Sequence, residues 1–156
     1  MDDLDRCYAA ALRILNYRYN SAAELSRKLA AKNFDEEVVA ATIARLRDEK
    51  WLDDSRFAEA FVRTRMRKRI GRLRIRRELM AAGVDGDVAA GALQHNRDEE
   101  GEREAAVAVA RKRARNLDLA SREGRNKLTA YLLKQGYDMT LIREVIKDMI
   151  SASPPC

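Results

Sequence analysis

The stretch Arg74-Ile75-Arg76-Arg77-Glu78-Leu79-Met80-Ala81-Ala82-Gly83-Val84-Asp85 decides the fold, because the chain writes it three times. Ile75 and Leu79 stand four apart, so they stack on one helix face. Gly83 stands where that helix ends, a site that favours a left-handed backbone. Val84 is the apolar residue that folds back on the last turn, and Asp85 is placed to cap the next helix. The stretch therefore reads as helix, tight turn, helix. Glu24–Asp35 (ELSRKLAAKNFD) aligns with it at an offset of 50, and Lys127–Asp138 (KLTAYLLKQGYD) at an offset of 53, both without a gap.

Leu25 and Leu29 repeat the stacked pair, as do Leu128 and Leu132. Asn33 and Gly136 repeat the helix end, and asparagine tolerates the left-handed backbone that glycine adopts freely. Phe34 and Tyr137 repeat the apolar residue, and Asp35 and Asp138 repeat the cap. The offsets continue into the next helix. Val38, Val88 and Leu141 correspond, then Val39, Ala89 and Ile142, then Thr42, Ala92 and Val145, then Ile43, Leu93 and Ile146. These positions form one stripe of a helix.

A further helix precedes each pair. The first covers Leu4–Tyr17, with Leu4, Tyr8, Leu12 and Leu15 inward. The second covers Asp54–Lys68, capped by Asp53 or Asp54, with Phe57, Phe61 and Thr64 inward. The third covers Glu100–Arg115, with a weak face around Ala105, Val109 and Ala110. The expected fold is all-α: three tandem three-helix, helix-turn-helix-like repeats at 1–50, 51–97 and 98–151, with a disordered tail at 152–156. A unit of about 50 residues is small for an independent core. Neighbouring repeats are therefore expected to stack or share helices in an elongated, curved body. Trp51 is expected to pack between the first two repeats, and Asn116–Gly124 to be the flexible joint.

Composition agrees with this reading. The chain has 156 residues, 46% of them hydrophobic, with two prolines and seven glycines. Alanine, leucine, arginine and glutamate are good helix formers, and period-two strand candidates are absent. Cys7 lies on an apolar helical face and reads as a small buried hydrophobe. Cys156 follows two prolines, and no disulfide framework is implied. No signal-like segment and no apolar run near about 18 residues is present, so a cytoplasmic protein without membrane attachment is expected.

Charge is uneven. Residues 1–50 carry 9 basic and 9 acidic side chains, residues 51–97 carry 11 and 6, and residues 98–156 carry 11 and 10. Between Glu59 and Glu78 no acid occurs, while Arg63, Arg65, Arg67, Lys68, Arg69, Arg72, Arg74, Arg76 and Arg77 do. Such a block suits phosphates or an acidic protein, and arginine favours bidentate contacts with either. Arg63 and Arg67 point outward one turn apart, and Gly71 can let the cations of two helices converge. Arg63, Arg67, Lys68, Arg72, Arg74 and Arg77 form the candidate main surface. Lys112, Arg113, Arg115, Arg125 and Lys127 form a candidate second patch in the last repeat.

The sequence offers no catalytic constellation. His95 is the sole histidine and stands at a helix end. CxxC pairs, HExxH and a phosphate loop are all missing, so no enzyme, metal or cofactor is expected. A stand-alone helix-turn-helix DNA reader is the alternative function. Its recognition helix would enter the major groove by its N-terminus. Here those starts carry Asp35-Glu36-Glu37, Asp85-Gly86-Asp87 and Asp138-Met139-Thr140, whose acids phosphates would repel.

Taken together, SAAELSRKLAAKNF at Ser21–Phe34, LDDSRFAEAFVRTR at Leu52–Arg65, GRLRIRRELMAAGV at Gly71–Val84 and KLTAYLLKQGYD at Lys127–Asp138 resemble the RecX family, bacterial regulators of the RecA recombinase. The resemblance spans nearly the whole chain. It departs at Asn33, where the family usually has glycine. It implies a non-enzymatic modulator that binds in the groove of the RecA–single-stranded DNA filament. Such a modulator restrains filament growth, ATP hydrolysis, strand exchange and coprotease activity, in DNA repair and SOS control. RecA filament and single-stranded DNA, the latter bound weakly and without sequence preference, are the implied partners, and a monomer is expected.

Overall fold

The computed structural model describes residues 1–152, among which there are nine α-helices and no strand. They are α1 (Asp3–Tyr17), α2 (Ala22–Ala31), α3 (Glu36–Asp48), α4 (Asp54–Arg67), α5 (Arg72–Ala81), α6 (Gly86–His95), α7 (Glu99–Ala114), α8 (Arg122–Gln135) and α9 (Met139–Ala152). Of the expected tail, only Ala152 is described, as the last residue of α9. Among the described residues, no helix is long and apolar enough to cross a membrane.

The threefold pattern is a pattern of burial. Leu25, Ile75 and Leu128 are buried, as are Leu29, Leu79 and Leu132. On the following helices Val39, Ala89 and Ile142 are buried, and so are the trios led by Thr42 and Ile43. Asn33, Gly83 and Gly136 all take the left-handed backbone, with φ of 69°, 82° and 103°. After the two glycines, the Val84 and Tyr137 N–H groups bond back to the carbonyls of Leu79 and Leu132, closing the helix ends.

Packing divides the chain by a different rule. Among the described residues, one compact unit holds 1–61 and 78–94, and the other holds 62–77 and 95–152. The border falls inside α4 and α5. The first unit is centred on Cys7, Leu25, Leu29, Ile43 and Leu46, and the second on Ala110, Leu128, Leu132, Ile142 and Val145.

Each unit contains one copy of the same helix-to-helix joint. In the first, Ser21 caps α2 in a reciprocal box with Glu24. Its hydroxyl also donates to the Ala82 carbonyl, just past α5, at 2.5 Å. The Ala22 N–H donates to Asp54 Oδ1 at 2.8 Å. In the second unit, the Gly71 and Leu73 N–H groups donate to the carbonyls of Gln135 and Gly136 at 2.9 and 3.0 Å. The Arg72 N–H donates to the Glu102 carboxylate. In the second, open N–H groups that begin one helix meet the open carbonyls that end another; in the first, the Ser21 hydroxyl is the donor to the helix end. In both, a carboxylate from a third helix takes the first N–H. A Cβ on Gly71 would overlap the Gly136 carbonyl and lie 2.6 Å from Tyr137 N. Gly71 thus serves close approach as well as helix breaking.

Four local expectations are corrected. Trp51 is 59% exposed and does not pack as expected. Lys50 before it is left-handed (φ 63°), which turns Trp51 outward, and Leu52 fills the core. Leu4 is 48% exposed in the first turn of α1, whose buried stripe is Cys7, Ala10 and Ala11. Thr64 is exposed, because Phe57, Ala58 and Val62 set the buried stripe and Thr64 falls roughly 90° from its centre at 100° per residue. Asp35 makes no side-chain cap bond to α3. Asp85 and Asp138 do accept, from the N–H groups of Asp87 and Leu141. Asp53 accepts from Ser55 and Arg56 at the start of α4, while Asp54 serves α2.

The segment expected to be the flexible joint is laced with hydrogen bonds. Ser121 donates its N–H and hydroxyl to the Asp118 carbonyl. Arg125 Nη1 donates to the carbonyls of Leu119 and Ala120 at 3.0 and 2.9 Å.

Candidate anion-binding surface

The basic block leaves α4 through a turn whose shape is fixed from outside. Arg69 is left-handed (φ 60°), a conformation that costs a non-glycine residue roughly 1 kcal/mol. The buried Tyr137 donates its hydroxyl to the Arg69 carbonyl at 2.7 Å. Burial drives the Tyr137 pKa up to about 12, with a smaller push from Glu102, so the donor keeps its proton. This bond holds the turn against the start of α9, and the turn carries Lys68 and Arg69.

Both side chains line a cavity of about 390 Å³ together with Lys112 and Arg113 of α7. Asn116, Tyr131 and Gln135 complete its polar lining, and no Asp or Glu contributes. The Arg113 guanidinium lies over the Tyr131 ring, 5.2 Å from the centroid, a cation–π placement. Four cations with no lining acid make a concave positive surface in which a phosphate or carboxylate is favoured.

A second cavity in the same unit has a different balance. It is lined by Arg72, Arg97 and Arg103, and also by Glu99, Glu100, Glu102, Asp138 and Glu144. Arg103 donates to Glu144 at 2.7 Å and to Asp148 at 2.5 Å. Arg72 is half-buried and its Nε has no hydrogen-bond partner. Glu102 beside it has its pKa raised by burial, against the opposing pull of the Arg72 charge.

The expected site residues therefore separate. Lys68, Lys112 and Arg113 come together. Arg72 joins the mixed cavity. Arg63 and Arg67 are exposed on α4, with Arg67 Nε donating to the Arg63 carbonyl at 3.4 Å. Arg74 is half-buried and its Nη1 reaches Gln135 Oε1 at 3.4 Å. Arg77 and Arg115 are exposed. Arg125 closes the loop before α8, and Lys127 pairs with Glu123 at 3.1 Å on the surface. Arg69, Tyr131 and Gln135 line the acid-free cavity without having been singled out. Arg69 stood in the acid-free run, but nothing in the sequence joined that run to Tyr131.

These features define an all-helical tandem-repeat protein with a cationic cavity beside its last repeat. Family models described as the first, second and third three-helix domains of RecX match residues 7–46, 53–93 and 100–146. The chain belongs to the RecX family. It is 34% identical to Regulatory protein RecX of Oceanobacillus iheyensis, over 95% of this chain but 55% of that protein. It is 31% identical to Regulatory protein RecX of Clostridium botulinum strain Alaska E43, over 96% of this chain and 71% of that protein. The chain thus spans little more than half of the first of these relatives. The crystal structure of RecX from Lactobacillus salivarius superposes with a TM-score of 0.82 at 28% identity, covering 96% of this chain and 98% of the other. Another crystal structure of regulatory protein RecX gives 0.83 at 26% identity, covering 94% of this chain and 72% of the other.

Proposed function

We propose that this chain is a non-catalytic regulator that seats in the groove of a RecA–single-stranded DNA filament and restrains its ATPase, recombinase and coprotease activities. It acts as a cytoplasmic monomer in DNA repair and SOS control, and its repeats at 1–50, 51–97 and 98–151 follow the filament. Membership of a family of regulatory proteins supports this reading. The observation that carries it is the acid-free cavity of Lys68, Arg69, Lys112 and Arg113, a surface made for an anionic partner. Exposed Arg63, Arg67 and Arg77 extend the positive surface along α4 and α5.

A stand-alone duplex reader is less well supported. The starts of α3 and α6 carry exposed acids at Glu36, Glu37 and Asp87, where phosphates would be repelled. The test is RecA ATPase on single-stranded DNA with this protein titrated in. Inhibition is expected, weakened several-fold by Arg67→Glu with Arg77→Glu in a protein of unchanged helicity. An ATPase rate indifferent to the wild-type protein would end this reading.

A further inference from the structure

We infer that the cavity between the α4–α5 turn, α7 and α8 takes one nucleotide of an unpaired nucleic-acid strand, gripping its phosphate with the four cations and stacking its base on Arg113. This deepens the filament reading and rests on it, because it assigns the strand, as distinct from a protein carboxylate, to these particular side chains.

Three observations favour a nucleotide over a protein carboxylate here. The cavity, about 390 Å³, is a volume that accepts a small ligand and not merely a carboxylate. Its lining includes the carboxamides of Asn116 and Gln135. Carboxamides both donate and accept, as base edges do, whereas an ionised carboxylate only accepts. Gln135 Oε1 is already met by Arg74 Nη1, which orients the amide. Third, the Arg113 guanidinium lies over the Tyr131 ring at 5.2 Å from its centroid, a cation–π contact. A guanidinium backed by an aromatic ring offers its other face as a platform for a base, and such stacking tolerates any sequence. In a duplex the bases are already stacked and cannot enter. The turn carrying Lys68 and Arg69 is held ready by the Tyr137 hydroxyl, so little ordering is needed on binding.

The experiment measures fluorescence anisotropy of labelled oligothymidylate, the same backbone without bases, and a duplex of equal length, each with the full chain and no RecA. The wild-type protein should bind oligothymidylate more tightly than the abasic strand and the duplex. Lys112→Glu with Arg113→Glu should weaken strand binding roughly tenfold or more. Weakening the grip on that one phosphate should also lower the log–log salt slope, by up to about 0.7. Arg113→Lys keeps the charge and loses the plane, so it should erase the preference for bases while holding the salt slope. Circular dichroism monitors folding of both variants.

Strand binding unchanged in the double variant overturns the assignment. If that variant nonetheless loses RecA ATPase inhibition, the cavity meets protein, and the filament reading survives without this inference. If the wild type shows base-dependent strand binding but leaves RecA ATPase untouched, the inference stands and the filament reading falls.

Discussion

The two cavities of the second unit hold cations from the same stretch of sequence and differ in what surrounds them. Lys68 and Arg69 are within four residues of Arg72. Lys68 and Arg69 meet only further cations and neutral side chains, while Arg72 meets Glu102, Asp138 and the acids of early α7. The difference arises in α7. Its first turn is acidic (Glu99, Glu100, Glu102) and its last turn basic (Arg111, Lys112, Arg113), as the helix dipole favours. One helix therefore supplies acids to the cavity at its start and cations to the cavity at its end. A run of basic residues in a sequence is a positive surface only where the tertiary neighbours leave it unneutralised.

Gly71 separates the two cation sets, and changing it should have the largest effect. Gly71→Val would drive a side chain into the Gly136 carbonyl and disturb the seat of α5, on which both cavities depend. A loss of roughly 3 kcal/mol or more is expected, read as a fall in the urea midpoint. A midpoint within error of wild type would show that the joint does not hold α5 as described.

Tyr137→Phe sharpens the contrast, since it releases the turn of the acid-free cavity and leaves the mixed one intact. It removes the hydroxyl bonded to the Arg69 carbonyl and should cost about 1–2 kcal/mol. Tyr137 stays protonated in the fold up to about pH 12, whereas an unfolded tyrosine ionises near pH 10. Its folded pKa is the higher one, so its contribution is intact below about pH 10 and is lost as pH rises through about 12. The wild type should lose stability across that window, and the phenylalanine variant should lose less. Parallel stability–pH curves would contradict this.

Glu102→Gln attacks the contrast from the other side by removing an acid from the mixed cavity. Because burial raises the Glu102 pKa, its stabilising contribution belongs to low pH and is lost as pH rises through the folded value. The glutamine keeps an acceptor for the Arg72 N–H and drops the half-buried charge. Stability at neutral pH should change by less than about 1 kcal/mol, in either direction. Oligonucleotide affinity at low salt should rise up to several-fold as the cavity turns positive, and a fall would reverse the electrostatic account.

The smallest effect is expected at Lys127. Its pair with Glu123 is exposed on both sides, and Lys127→Ala should shift stability by no more than about 0.5 kcal/mol. Strand binding should stay within twofold of wild type, and a larger loss would bring the first turns of α8 into the binding surface.

The repeat was legible because burial follows helical period. Ile75 and Leu79 point to one face whatever they pack against, and a left-handed helix end selects glycine or asparagine locally, as at Gly83, Gly136 and Asn33. Where a side chain's direction depended on the backbone of a neighbouring turn or loop, residue type and helical period did not signal it. Trp51 had the hydrophobicity of a packed residue, yet it points to solvent beyond a left-handed Lys50. Arg125, read as part of a surface patch, also donates to the Leu119 and Ala120 carbonyls, a contact its charge did not signal.

By itself the sequence determined the three-helix repeat, its buried stripes and the place where positive charge collects, because each of these follows from residue type and spacing along one helix. Only the tertiary structure decided that Gly71 lies against Gly136 and that Glu102 receives the first N–H of α5. It also decided that Lys68 and Arg69 share a cavity with Lys112 and Arg113 while Arg72 does not. Those outcomes depend on which helix end faces which, and that is set by packing between segments some 30 to 65 residues apart.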